Sequence, residues 1–161
     1  GQRWSIEDVK KFYDTLLAEW SEFAKWQEAQ RRLGYSQGYI ETPTGRRKRF
    51  GFIPRRDGGY VGRASFNNPI QGTASDFTLH ALIQLHNNLP DGATVISTVH
   101  DSIIFQVRDD LIEEVSAMIT HYMEVETLFE IDVPLKIDLD VSKRWGEKDQ
   151  LAHVVIEDDD D

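Results

Sequence analysis

Val99-His100-Asp101-Ser102-Ile103 lies between two stretches that alternate as β-strands do, residues 94–99 and 103–107. The pattern predicts an antiparallel hairpin with Asp101 at its tip. Two-residue hairpin loops favour Asn-Gly, Asp-Gly or a leading glycine, and neither His-Asp nor Asp-Ser is among them. A turn built against its local preference points to a function for the residue exposed there. An ordinary turn aspartate is the alternative that the hairpin alone leaves open.

Two further segments precede the hairpin. Asn67-Asn68-Pro69-Ile70-Gln71-Gly72-Thr73-Ala74-Ser75-Asp76 leads into a helix, with Asn68 as cap, Pro69 in the first turn and a buried stripe of Ile70, Ala74, Phe77, Ala81 and Leu85 reaching to about residue 87. Arg63, Asn67 and Gln71 are spaced by four, so helical geometry sets them on one side, a row suited to a duplex groove. Helix capping and solvent exposure account equally well for that spacing taken alone. Upstream, residues 39–42 and 47–50 flank Pro43-Thr44-Gly45 and predict a second hairpin, whose Arg46-Arg47-Lys48-Arg49 run either grips backbone phosphates or is a solvated edge. Residues 51–62 read as loop.

The flanking elements follow from periodicity. Ser5-Ile6-Glu7-Asp8 has the form of a capped helix start, and Ile6, Val9, Phe12, Tyr13, Leu16, Leu17, Trp20, Phe23 and Ala24 define one apolar stripe of a long helix that Gly34 stops. Leu89-Pro90-Asp91-Gly92 is a turn. Asp110 and Glu113 open a helix whose Leu111, Ile112, Val115, Met118, Ile119 and Tyr122 share a face, and residues 134–141 alternate as a strand with one wet side. The predicted class is α+β. Asp138 and Asp140 could join Asp101 at a metal, although acids on a strand's wet face usually meet solvent; His80, His86, His121 and His153 show no ligand spacing.

Composition narrows the function. The chain of 161 residues has no cysteine, which excludes disulfides and thiolate zinc sites and is compatible with a reducing cytoplasm. No apolar run approaches the length of a membrane span, and no export signal is evident. A net charge of −10 argues against nucleic-acid binding, but residues 45–63 carry seven basic side chains against Asp57 alone, a local +6. Residues 157–161 form an acidic run of the kind that is usually a solvated tail.

In order and spacing, the three motifs resemble the C-terminal part of the polymerase module of a family A DNA polymerase, the bacterial DNA polymerase I type. The similarity runs from about Ile6 to Trp145. It implies a partial fingers subdomain with the basic hairpin over residues 1–66, a helix and palm over 67–150, and a flexible acidic tail over 151–161. His100 and Asp101 match the first two positions of a His-Asp-Glu palm motif, which implies that Asp101 is one of two aspartates holding two magnesium ions. Ser102 departs from the third position, an accessory to the metals, so only an indirect role is implied for it. The resemblance further implies primer-template contacts by Arg63, Asn67 and Gln71, with Arg46, Arg47 and Arg49 on the DNA backbone.

Other family parts do not occur here. The first catalytic aspartate motif, the fingers helix that holds deoxynucleoside triphosphates, the thumb and the exonuclease are missing. The expectation is therefore a DNA-directed DNA polymerase fragment, or one piece of a split, phage-like polymerase, that is inactive without an N-terminal partner. It would act in the cytoplasm of a bacterial or phage-infected cell. A non-catalytic DNA-binding or scaffolding subunit is the competing expectation, which Ser102 and the negative charge favour.

Overall fold

Helix α1, Ile6–Glu19, begins where its chemistry permits: the Asp8 amide donates to Ser5 Oγ (3.1 Å) while the Ser5 amide donates to the Asp8 carboxylate (3.1 Å). The hydrogen bonds from Ser5 hold the Asp8 carboxyl below its ordinary value. A depressed carboxylate stabilises the fold above its unfolded-state value and loses that contribution as pH falls through the folded one. The computed structural model describes residues 4–51 and 58–145. Arg55, Arg56, His153 and the acidic run at 157–161 lie outside them.

The single long helix expected up to Gly34 is two. Trp20 leaves the helical region at ψ 58° and α2 restarts over Ser21–Gln37, a junction without proline or glycine and so without a sequence signal. Gly38 ends α2, at φ 73° with its amide donating to the Gly34 carbonyl, because a left-handed residue can close a helix where a side chain would strain it. Gly34 has a different duty. It is buried inside α2, where an added Cβ would sit 2.0 Å from Ser65 Oγ and 3.2 Å from the Phe50 ring.

Strands β1 (Tyr39–Glu41) and β2 (Arg47–Arg49) pair antiparallel, Tyr39 opposite Arg49, as expected for the second hairpin. Ile40 and Thr42 turn inward and are buried. Helix α3 spans Gly58–Asn88, eleven residues upstream of the expected start at Pro69. Its first turns replace part of the expected loop at 51–62, of which residues 52–57 lie outside the described set. Packing overrides the local signal here: Val61, Ala64 and Ser65 are buried, with Gly62 against the Arg31 and Tyr35 side chains. Asn68 is consequently no cap; its side-chain amide donates to the Ala64 carbonyl at 2.9 Å. Pro69 sits inside the helix and removes one backbone donor. Of the expected stripe, Ala81 and Leu85 are buried and Phe77 packs on Phe129 at 4.9 Å, but Ile70 and Ala74 are exposed.

Two compact units divide the chain between Thr73 and Ala74. In the second, Gly92 at φ 103° completes the expected turn and β3 (Ala93–Val99) pairs antiparallel with β4 (Ser102–Val107). A bulge at Ile96 shifts the register between Val95 and Ser97. A short 3-10 turn, Asp109–Leu111, leads into α4, Ile112–Thr120, which continues as a π-helical turn over His121–Val125. Leu85, Val115 and Ile119 form the core, with Phe105, Val107, Ile137 and Leu139 packed on it.

The strand expected at 134–141 is absent as a strand. Its alternation survives as burial, with Leu135, Ile137, Leu139 and Val141 half-buried and Lys136, Asp138 and Asp140 exposed, yet only Val141 makes a bridge. Glu124 supplies the partner instead, accepting from the Ile137 amide (2.7 Å) and the Lys136 ammonium (3.1 Å). The class is α+β, and no described helix is long and apolar enough to cross a membrane.

Gly34→Ala should destabilise the protein by about 1–3 kcal/mol through overpacking, and Gly34→Ala/Ser65→Ala should recover part of that. Urea unfolding of the three proteins checks it; an unaffected Gly34→Ala midpoint would show that the contact is not tight.

Candidate functional site

The β3–β4 hairpin closes at the Val99–Ser102 pair, leaving His100 and Asp101 as the turn. His100 has φ 57°, and it is the one non-glycine residue with positive φ among the described residues. Left-handed backbone costs an L-residue about 1–2 kcal/mol, and in a turn of this size glycine usually meets the need. Histidine instead of glycine retains a side chain beside Asp101. Asp101 itself is exposed, and no hydrogen bond or ion pair engages its carboxylate among the described residues. Ser102, next in the chain, is exposed too. From Ile96 to Val99 the β3 side of the stem is exposed, whereas Ile103 on β4, two residues after Asp101, packs on the core.

A lone carboxylate is a hard oxygen donor of the kind magnesium accepts, and magnesium is commonly held by one or two carboxylates plus substrate phosphates. Asp101 fits one such position. Among the described residues no group of three or more histidines, cysteines or acids could hold a metal ion, so Asp138 and Asp140 do not complete a cluster with it. The described histidines add none: His121 faces Glu126 at 3.3 Å, and His80 Nε2 is buried without a partner.

In the first unit, Arg63, Asn67 and Gln71 stand on one exposed face of α3, because the opposite face, with Val61, Ala64 and Ser65, is the buried one. Asn68 spends its amide on Ala64, whereas Asn67 is exposed. The row thus presents a guanidinium and two amides at successive helical turns. On β2 the cations divide. Arg47 is tied down by an ion pair with Glu41 and stacks over the Tyr39 ring at 4.8 Å, and the hydrogen bond to Glu41 raises its pKa. Lys48 and Arg49 are exposed, and no ion pair engages either among the described residues. The engagement of Arg47 was not foreseen, although Glu41 opposite Arg47 in an antiparallel register is a readable cross-strand signal.

Known proteins resemble this chain over most of its length. The model of the family described as DNA polymerase family A matches residues 3–147. The chain belongs to DNA polymerase family A. It is 30% identical over 151 residues to the thermostable DNA polymerase I of Thermus filiformis, covering 89% of this chain and 18% of that protein. It is also 31% identical over 147 residues to DNA polymerase I of Pseudomonas aeruginosa, covering 88% and 16%. Among solved structures, the POL domain of Pol1 from M. smegmatis, in complex with DNA primer-template and dNTP, shares the fold with a TM-score of 0.72 at 24% identity, over 82% of this chain and 24% of that one. This family A chain therefore spans less than a fifth of the curated relatives it matches.

The hairpin tip yields a direct test. His100→Val, which places a β-branched side chain at positive φ, should lower stability by about 1–2 kcal/mol, whereas His100→Gly should leave it unchanged or slightly raised. Thermal unfolding of both variants distinguishes them, and equal losses would mean that the turn is not held left-handed.

Proposed function

We propose that this chain is the C-terminal part of a DNA-directed DNA polymerase, contributing Asp101 to a two-magnesium nucleotidyl-transfer site whose other carboxylate and triphosphate-binding groups come from an N-terminal piece. The observation that carries the reading is Asp101 itself: an unengaged carboxylate on a two-residue tip, held by a left-handed His100, in a chain of family A. Magnesium, when bound, supplies charge stabilisation to the attacking and leaving oxygens of an in-line displacement. Asp101 would hold one ion as an oxygen ligand, with His100 fixing the turn and Ser102 acting indirectly if it acts at all.

The remaining groups position the nucleic acid. Arg63, Asn67 and Gln71 are suited to minor-groove acceptors that every base pair presents, so they would bind primer-template without reading sequence. Arg46, Arg47 and Arg49 are suited to backbone phosphates. That the M. smegmatis domain was solved with DNA primer-template and dNTP supports the same ligands here. A non-catalytic DNA-binding subunit is the second reading, favoured by Ser102 in place of an acid; it predicts full complementation by an Asp101 variant.

The purified chain should give no primer extension with primer-template, deoxynucleotides and magnesium, and should gain it on addition of the complementary polymerase piece. In that assembly Asp101→Asn should reduce extension to at most a few per cent while leaving primer-template affinity nearly intact. An asparagine variant with substantial activity removes Asp101 from the metals.

The charge division on β2 makes a second prediction. Arg49→Ala should reduce the slope of log affinity against log salt by about 0.9 on duplex DNA, and Arg47→Ala by less, because Glu41 already neutralises that guanidinium. Fluorescence-anisotropy titrations across a salt series measure both, and unchanged slopes would make the hairpin a solvated face.

A further inference from the structure

The exposed row on α3 has a member that its four-residue spacing hides. Tyr60 stands three positions before Arg63, and at 3.6 residues per turn Tyr60, Arg63, Asn67 and Gln71 fall within an arc of roughly 80°. The ring therefore belongs to the same face, one turn nearer the helix start. It is 53% exposed, and no hydrogen bond, ion pair or ring contact engages it among the described residues. The Arg63 side chain runs back toward the same level: a Cβ added at Gly59 would lie 3.3 Å from its Nη1. Glycine at 59 leaves the guanidinium room beside the residue that carries the ring.

We propose that Tyr60 is a stacking platform for an unpaired base of the template strand, where the duplex held by Arg63, Asn67 and Gln71 passes into single strand. The proposal rests on the primer-template reading above and adds to it a residue and a junction. Aromatic rings on which bases stack, set beside cations that take the backbone, are how proteins hold single-stranded nucleic acid. Only an unpaired base has a whole face to offer, because within a duplex the neighbouring pairs cover both. In a primer-template it is the template that continues unpaired past the primer end. Length agrees: Gln71 to Tyr60 is a rise of roughly 16 Å along α3, and duplex advances about 3.4 Å per step. Laid along a duplex, the row has room for its amides on paired bases and its ring beyond them.

Single exposed aromatic side chains are ordinary on protein surfaces. A protein partner that covers such a ring generally covers a contiguous apolar patch with it. The next three side chains of this row are a guanidinium and two amides, all exposed, so the surroundings of Tyr60 suit a polar, charged ligand with flat faces.

The test measures binding of the full chain, by fluorescence anisotropy, to a labelled DNA hairpin with a 5′ single-stranded overhang and to the same hairpin blunt. Tyr60→Ala should weaken binding to the overhang hairpin by about fivefold or more and leave the blunt one nearly unchanged, while Tyr60→Phe, which keeps the ring, should match the parent on both. The loss should not alter the slope of log affinity against log salt, because a neutral ring releases no counterion. 2-Aminopurine at the first unpaired template position should be quenched by the parent and by Tyr60→Phe but not by Tyr60→Ala. Tyr60 is exposed, so circular dichroism should show both variants folded as the parent is. Unchanged affinity of Tyr60→Ala for the overhang hairpin overturns the proposal and leaves the ring to solvent or a protein partner. Equal loss on both hairpins overturns it in favour of a structural role, and a Tyr60→Phe as weak as Tyr60→Ala in favour of a hydroxyl contact. The blunt hairpin separates the two failures: if the parent binds it while the Tyr60 effects are absent, the row stands as a DNA face without this platform, and if the parent binds neither hairpin, both fall.

Discussion

The approach of α2 to α3 at Gly34 and Ser65 is the constraint on which the first unit depends. Only a residue without a Cβ admits the Ser65 side chain at that distance, and Ser65 in turn donates its hydroxyl to the Val61 carbonyl (2.7 Å), so the hydroxyl is satisfied although buried. Once Val61, Ala64 and Ser65 face inward, helical periodicity leaves Arg63, Asn67 and Gln71 facing out. The exposed row is thus a consequence of a glycine some thirty residues earlier in the chain.

One segment of the second unit is held by an acid that takes the place of a backbone partner. Glu124 lies in the π-helical turn after α4, where the wider spiral displaces one residue from the usual ladder. Its two oxygens take the Ile137 amide and the Lys136 ammonium, and the segment at 134–141 is held beside the core by a side chain rather than by a strand. Arg108 and Asp110 form a local side-chain clasp at the end of β4, where the hydrogen bond from Arg108 lowers the aspartate's pKa. Both are mostly exposed, so the pair guides the chain into α4 more than it stabilises the fold.

What could be read from the residues was whatever local chemistry decides. The Ser5–Asp8 capping box, the Pro90-Asp91-Gly92 turn, both hairpins and the inward face of α4 were all legible, because each depends on residues within a few positions of one another. The Trp20 break, the start of α3 at Gly58 and the exposure of Ile70 were not: the start of α3 goes with the burial of Val61, Ala64 and Ser65 against segments distant in sequence, and no local residue signals the other two. Pro69 shows the difference well. Proline is favoured in a first turn, but the buried face upstream of it continues the helix regardless. At the candidate site, the hairpin tip and the spacing of the α3 row were visible in advance; the left-handed His100, the bulge at Ile96 and the capture of Arg47 by Glu41 and Tyr39 belong to backbone twist and cross-strand geometry.

The conformation of His100 also restricts what can stand beside Asp101. Few residue types enter left-handed backbone readily, chiefly glycine, asparagine, aspartate and histidine. Aspartate there would crowd a second carboxylate against the first, glycine would contribute no side chain, and asparagine would bring a neutral amide. Histidine alone of the four adds an aromatic ring with two nitrogens. The backbone has in this way shortened the alphabet at position 100 before any chemistry is chosen, so substitution there is filtered twice, once by shape and once by what the side chain can do.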